Sequence, residues 1–144
     1  MDTAGERAEL TLRPGFMAPM RDLEKSLAAA TAFHGGRDGI NQRIGAIMIG
    51  IPAACREAVS PHLDAFLDRL EFKGPVIDYR RYVGEFASAS AVAAVIALSL
   101  LERGAVPGPL AGGREWPLEG RGVLLLGLGG TLSTMLAESS PGIH

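Results

Sequence analysis

The chain opens on a short alternation, Leu10 and Leu12 among polar neighbours, which predicts a loose arm or a lead-in strand over residues 1–15. From Pro19 to His34 the apolar positions Met20, Leu23, Leu27, Ala30, Ala32 and Phe33 follow the helical period. Arg21, Asp22, Glu24 and Lys25 lie opposite, and Gly35-Gly36 is a stop. Residues 35–43 read as a turn-rich loop. Ile44 to Ile51 is apolar at every position, as in a strand buried on both faces of a helix-covered parallel sheet, and Pro52 ends it. A second helix follows, with Ser60 as N-cap, Pro61 at the first helical position, and Leu63, Phe66, Leu67 and Leu70 as its apolar stripe. Lys73-Gly74-Pro75 turns into a strand over 76–83, ending at Gly84.

No charge occurs from Phe86 to Leu101, a run rich in Ala and Ser that closes with Glu102-Arg103-Gly104. A helix apolar all round is buried all round. The run is shorter than the roughly 20 residues of a membrane span, so a central helix is expected. Residues 105–121 form a Pro/Gly-rich connection. Val123–Leu126 and Thr131–Ala137 read as strands joined by Gly127-Leu128-Gly129-Gly130. Alternating helices and strands predict an α/β layered fold.

Composition narrows the class. One domain's worth of chain, 144 residues, holds one cysteine, too few for a disulfide framework or a Cys-rich zinc site. Fourteen basic against sixteen acidic residues leave no footprint for nucleic acid. The charged N-terminus lacks the apolar core of a signal peptide. The expectation is a cytoplasmic protein with no membrane span, no metal and no cofactor. It divides into an arm (1–18), a folded domain (19–138) and a tail (139–144).

Each chemical motif has a plain structural alternative. Gly127-Leu128-Gly129-Gly130 follows a strand as a phosphate loop would, but another strand comes next where a dinucleotide site needs a helix N-terminus. Cys55 is a nucleophile only if a base such as His62 reaches it; lone cysteines more often pack. Asp78 and Glu85 lie near strand ends, where α/β sites form, although Glu85 also suits a helix N-terminus. Arg80 and Arg81 suit an anion or a solvated strand end, and Trp116 a contact or simple packing.

Two segments together resemble the β-ketoacyl synthases of the thiolase superfamily. Val83 to Val95, followed by Glu102-Arg103-Gly104-Ala105-Val106-Pro107, is similar to the family's small-residue central helix and its Gly-x-x-Pro turn. Gly127 to Ser133 is similar to the closing Gly-Phe-Gly-Gly-Thr-Asn-Ala turn. The resemblance covers residues 19–138 and corresponds to the C-terminal half of a synthase. It implies a thiolase-like half domain, a layered mixed sheet with helices on both faces. A substrate channel would run past Ile49, Gly84, Glu85, Phe86, Gly127, Leu128 and Gly129.

The departures shape the functional expectation. The family's nucleophilic cysteine belongs to the half that has no counterpart here, and Cys55 does not match it. The two family histidines fall near Ile49 and on Glu85, the lysine on Arg80, the gating Phe on Leu128 and the Asn on Leu132. Decarboxylative condensation needs a thiolate and donors for a developing enolate, and a carboxylate at position 85 repels it. The resemblance therefore implies a noncatalytic subunit like a chain-length factor of polyketide or aryl polyene systems. It would pair with a ketosynthase or with itself, and an acyl carrier protein is a further partner. The alternative is an enzyme acting on an acyl thioester, by transfer or hydrolysis, through Glu85, Arg80 or Cys55.

Overall fold

A computed structural model of the protein describes residues 9–79, 89–129 and 131–140. Its main sheet has five strands: β1 (Glu9–Pro19), β2 (Ile44–Gly50), β3 (Val76–Asp78), β6 (Gly122–Leu128) and β7 (Thr131–Ser140). They lie in the order β1-β7-β6-β2-β3. β2 is parallel to β3 and β6, while β7 is antiparallel to β6 and β1. Four strands therefore run one way and β7 runs against them. A two-stranded ribbon, β4 (Ala105–Val106) with β5 (Trp116–Pro117), lies within the Pro/Gly-rich connection.

Helices cover both faces, so the α/β layered class holds. On one face, α1 (Leu23–Phe33), α2 (Gly36–Arg43) and α3 (Arg56–Leu70) enclose a core of Leu27, Ile40, Ile47, Ile49, Phe66, Leu126 and Leu132, among others. On the other, α4 (Ala89–Arg103) covers Ala46, Met48, Ile77, Val123 and Leu125. Alternate residues of β2 feed the two cores, which is why this strand is buried throughout, as its unbroken apolar run predicts. Among the described residues, no helix is long and apolar enough to cross a membrane.

The chain departs from expectation at four places. Residues 36–43 are helical instead of a loop. The left-handed Gly35 (φ 101°) separates α1 from α2, and the fully buried Ile40 anchors the new helix. α3 starts at Arg56, ahead of the proposed cap. The 3₁₀ turn Ala53–Cys55 leads into it and Val59 buries its first turn, so Ser60 lies inside the helix and donates to the Arg56 carbonyl at 2.7 Å. Pro61 also lies inside, where its missing N–H removes one ladder bond.

Of the two alternatives for the N-terminal segment, a loose arm or a lead-in strand, residues 9–15 form strand, and the rest of the proposed arm, to residue 18, continues it. Leu10 and Leu12 pack against the α4-side core, and β1 continues to Pro19. β7 likewise reaches Ser140, so residues 139–140 are strand and not tail. The strand expected over 76–83 is described only to Asp78, with Tyr79 in a turn and the remainder outside the described residues. α4 ends as predicted, with Gly104 (φ 82°) donating its N–H to the carbonyls of Leu100 and Leu101.

Candidate functional site

One transverse row crosses the sheet at the C-terminal end of its parallel strands. Gly50 of β2 is opposite Gly127 of β6, Gly127 is opposite Ser133 of β7, and Ser133 is opposite Met17 of β1. Directly opposed residues share a face, and this row lies on the α4 side. Tyr79, one residue beyond the Ile49–Asp78 pairing, extends it at the far edge. Its N–H donates to the Ile49 carbonyl at 3.1 Å, and its ring lies across Gly50, where a methyl group would overlap Oη and Cζ. The two glycines floor a trough. Tyr79 fills one end, leaving a cavity of about 40 Å³ beside Leu125, Gly127, Ser133 and Met135.

The described residues of the proposed channel gather at this edge but point different ways. Gly127 floors the trough. Ile49 and Leu128 are 2% and 0% exposed and belong to the core under α1 and α3, on the opposite face. Gly129 lies beside Pro52, whose Cγ is 3.9 Å from where a Cβ would stand. Arg80, Gly84, Glu85 and Phe86 lie outside the described residues, as does Arg81. At the same edge Asp78 and Arg56 form an ion pair that ties the start of α3 to the end of β3; Arg56 also donates to the Ile51 carbonyl at 3.3 Å.

Cys55 precedes α3 half-buried, with its side chain against the α1–α3 core. Seven helical residues separate it from His62, a rise of about 10 Å, so the imidazole does not reach the thiol. His62 Nδ1 instead lies 3.8 Å from Glu24 Oε1 on α1. The geometry provides Cys55 with no base from His62. Trp116 sits in β5 and packs on the α4-side core. Among the described residues, no three His, Cys, Asp or Glu side chains gather to hold a metal.

The outer side of α4 is the main exposed apolar feature on this face. Ala93, Ala97, Leu100 and Leu101 bury against the sheet. Val95 is 63% exposed, flanked by exposed Ala91 and Ser99 and half-buried Val92, Ile96 and Leu98. The helix was expected to be buried all round; it is buried on one side and apolar on both. Met17, 73% exposed, lies on the same side of the sheet.

Sequence reasoning placed His34 only at a helix end. The fold buries it, with Nε2 2.8 Å from Thr134 Oγ1. The same oxygen accepts the Phe16 N–H at 2.7 Å. Burial, then the nearby Arg43 guanidinium, hold the His34 pKa below its ordinary 6.5. No periodicity announces this site, because it depends on a β-bulge between Pro14 and Met17 that brings Phe16 to Thr134.

The fold thus defines the chain as a layered, mixed-sheet α/β protein with a helix, charged only in its last turn, that is open on one side. No family model, curated protein or solved structure matches it.

Proposed function

We propose that the chain is a noncatalytic subunit resembling the C-terminal half of a β-ketoacyl synthase, and that it docks through the outer side of α4 onto a ketosynthase-type partner in fatty-acid or polyketide assembly. The observation that carries this reading is the exposed apolar side of α4. A helix without charge from its start to Leu101 normally has neighbours all round, and contiguous apolar patches mark interaction sites. The thiolase-like half domain is part of the same proposal. It is supported by the mixed sheet covered on both faces and by the closing β6–β7 hairpin at the predicted glycine turn. The separation of Cys55 from His62 removes one candidate nucleophile–base pair.

Val95 is the natural probe. Burying a valine completely stabilises by about 1.5–3 kcal/mol, so the exposed portion leaves roughly 1–2 kcal/mol for a partner to gain. Co-expression of the tagged chain with a ketosynthase encoded in the same genome should give a stoichiometric complex on purification. Val95→Glu should abolish it while leaving the fold intact. A wild-type chain that retains no ketosynthase would overturn the reading, as would a complex indifferent to Val95→Glu. A stable pair of identical chains would replace the ketosynthase with a second copy.

A further inference from the structure

We propose that His34 is a proton-sensitive latch that holds edge strand β1 on the sheet while its imidazole is neutral and loosens it on acidification. At the bulge, Gly15 and Phe16 together oppose Thr134, and the ladder register jumps from Pro14–Met135 to Met17–Ser133. Pro14 brings no N–H to the ladder, and within the bulge the Phe16 N–H goes to the Thr134 hydroxyl instead of a backbone carbonyl. Oγ1 accepts the Phe16 N–H and keeps its own proton, which it donates to His34 Nε2 in the Nδ1-protonated tautomer. That arrangement needs an imidazole with an unprotonated Nε2.

Protonation removes this acceptor. The new Nε2–H would face an oxygen whose hydrogen must turn elsewhere, and a buried cation would lack a counter-charge. Among the described residues, the charged groups on the elements packed around His34 do not supply one. Arg43 comes from α2. Glu138 of β7 already accepts from both Arg43, at 3.2 Å, and Arg13 of β1. The depressed pKa of His34 agrees with this surplus of positive charge. Expulsion of the ring would disturb Phe33, stacked edge-on at 5.0 Å, and through it Phe16, whose ring lies 6.0 Å from that of Phe33. The Phe16–Phe33 contact joins the end of α1 to the second half of β1. Release of that half of β1 would open the backbone edge of β7, a row of free hydrogen-bonding groups suited to pairing with another strand.

Amide hydrogen exchange on the full chain tests the latch, with rates corrected for intrinsic pH dependence. Between pH 7.5 and 5, protection of the β1 amides should fall at least about tenfold relative to β6. His34→Gln, whose side-chain carbonyl can still accept from Thr134, should show no such selective loss. His62→Gln should behave as wild type. If His34→Gln loses β1 protection to the same extent, the Arg13–Arg43–Glu138 cluster is the cause and the proposal fails. If that variant does not fold, the imidazole titration of the wild type decides. A His34 midpoint below 6.5 that coincides with β1 loosening supports the latch, and β1 protection that is unchanged through the titration overturns it.

Discussion

Replacing Gly50 with alanine should destabilise the protein through a single contact, the ring of Tyr79. The added methyl would overlap Tyr79 Oη and Cζ and lie 2.6 Å from Cε2. The phenol cannot retreat easily: Tyr79 is 4% exposed and its N–H is bound to Ile49. The adjoining cavity of about 40 Å³ has room for a water molecule but not for a ring. Overpacking of this kind costs about 1–3 kcal/mol. In a chain of this length, a 2 kcal/mol loss lowers Tm by about 4–8 °C. Tyr79→Ala alone should cost about 3–5 kcal/mol for the lost aromatic burial. In the double variant the methyl occupies space vacated by the ring, so the two losses should fall short of additivity by about 1–3 kcal/mol. Urea unfolding followed by the fluorescence of Trp116, the single tryptophan, gives all four stabilities. A neutral Gly50→Ala, or losses that add within about 0.5 kcal/mol, would refute the placement of Tyr79 over Gly50.

Asn41 joins α2 to α3, its Nδ2 donating to the Leu70 carbonyl at 2.8 Å; Asn41→Ala should cost about 1–2 kcal/mol in denaturant, and a loss below 0.5 would contradict the bond. Because burial favours neutral His34, the unfolded chain binds its proton more readily. Stability from this group is therefore full above pH 6.5 and falls as pH drops below it, and Tm measured from pH 8 to 5 should show that fall, reduced in His34→Gln. Val95→Glu should leave the free energy of unfolding within about 0.5 kcal/mol of wild type, since its site is 63% exposed, while abolishing partner binding. An acyl thioester incubated with the purified chain should release thiol no faster than in buffer; release that disappears in Glu85→Gln or Cys55→Ser would restore the enzymatic alternative.

The parts of the fold written in unbroken apolar runs were legible. β2 and β6 carry enough consecutive signal to fix both type and burial, and α4 enough to fix its type, although one side of it is open. α2 was not, because eight mostly polar residues with two glycines offer only Ile40 as an anchor. The start of α3 was misread because Ser60-Pro61 has the local chemistry of a helix N-terminus. Tertiary burial of Val59 decides instead that a further turn precedes it. Of the candidate site, Gly127 reads as the start of a turn but lies inside β6, and the trough arises from registers between strands distant in sequence. Tyr79 over Gly50 and His34 on Thr134 are long-range contacts of the same kind. Ile49 and Leu128 show the limit most clearly: position along a strand puts them at the right edge, and alternation turns them into the opposite core.

We propose that a ketosynthase-type protein covers the open side of α4. Sedimentation equilibrium of the chain mixed with that protein tests it most directly. The account predicts a complex heavier than either component, with the 15.1 kDa species depleted in wild type and restored in Val95→Glu. A chain that sediments at 15.1 kDa beside an unchanged ketosynthase, at every concentration, would contradict it.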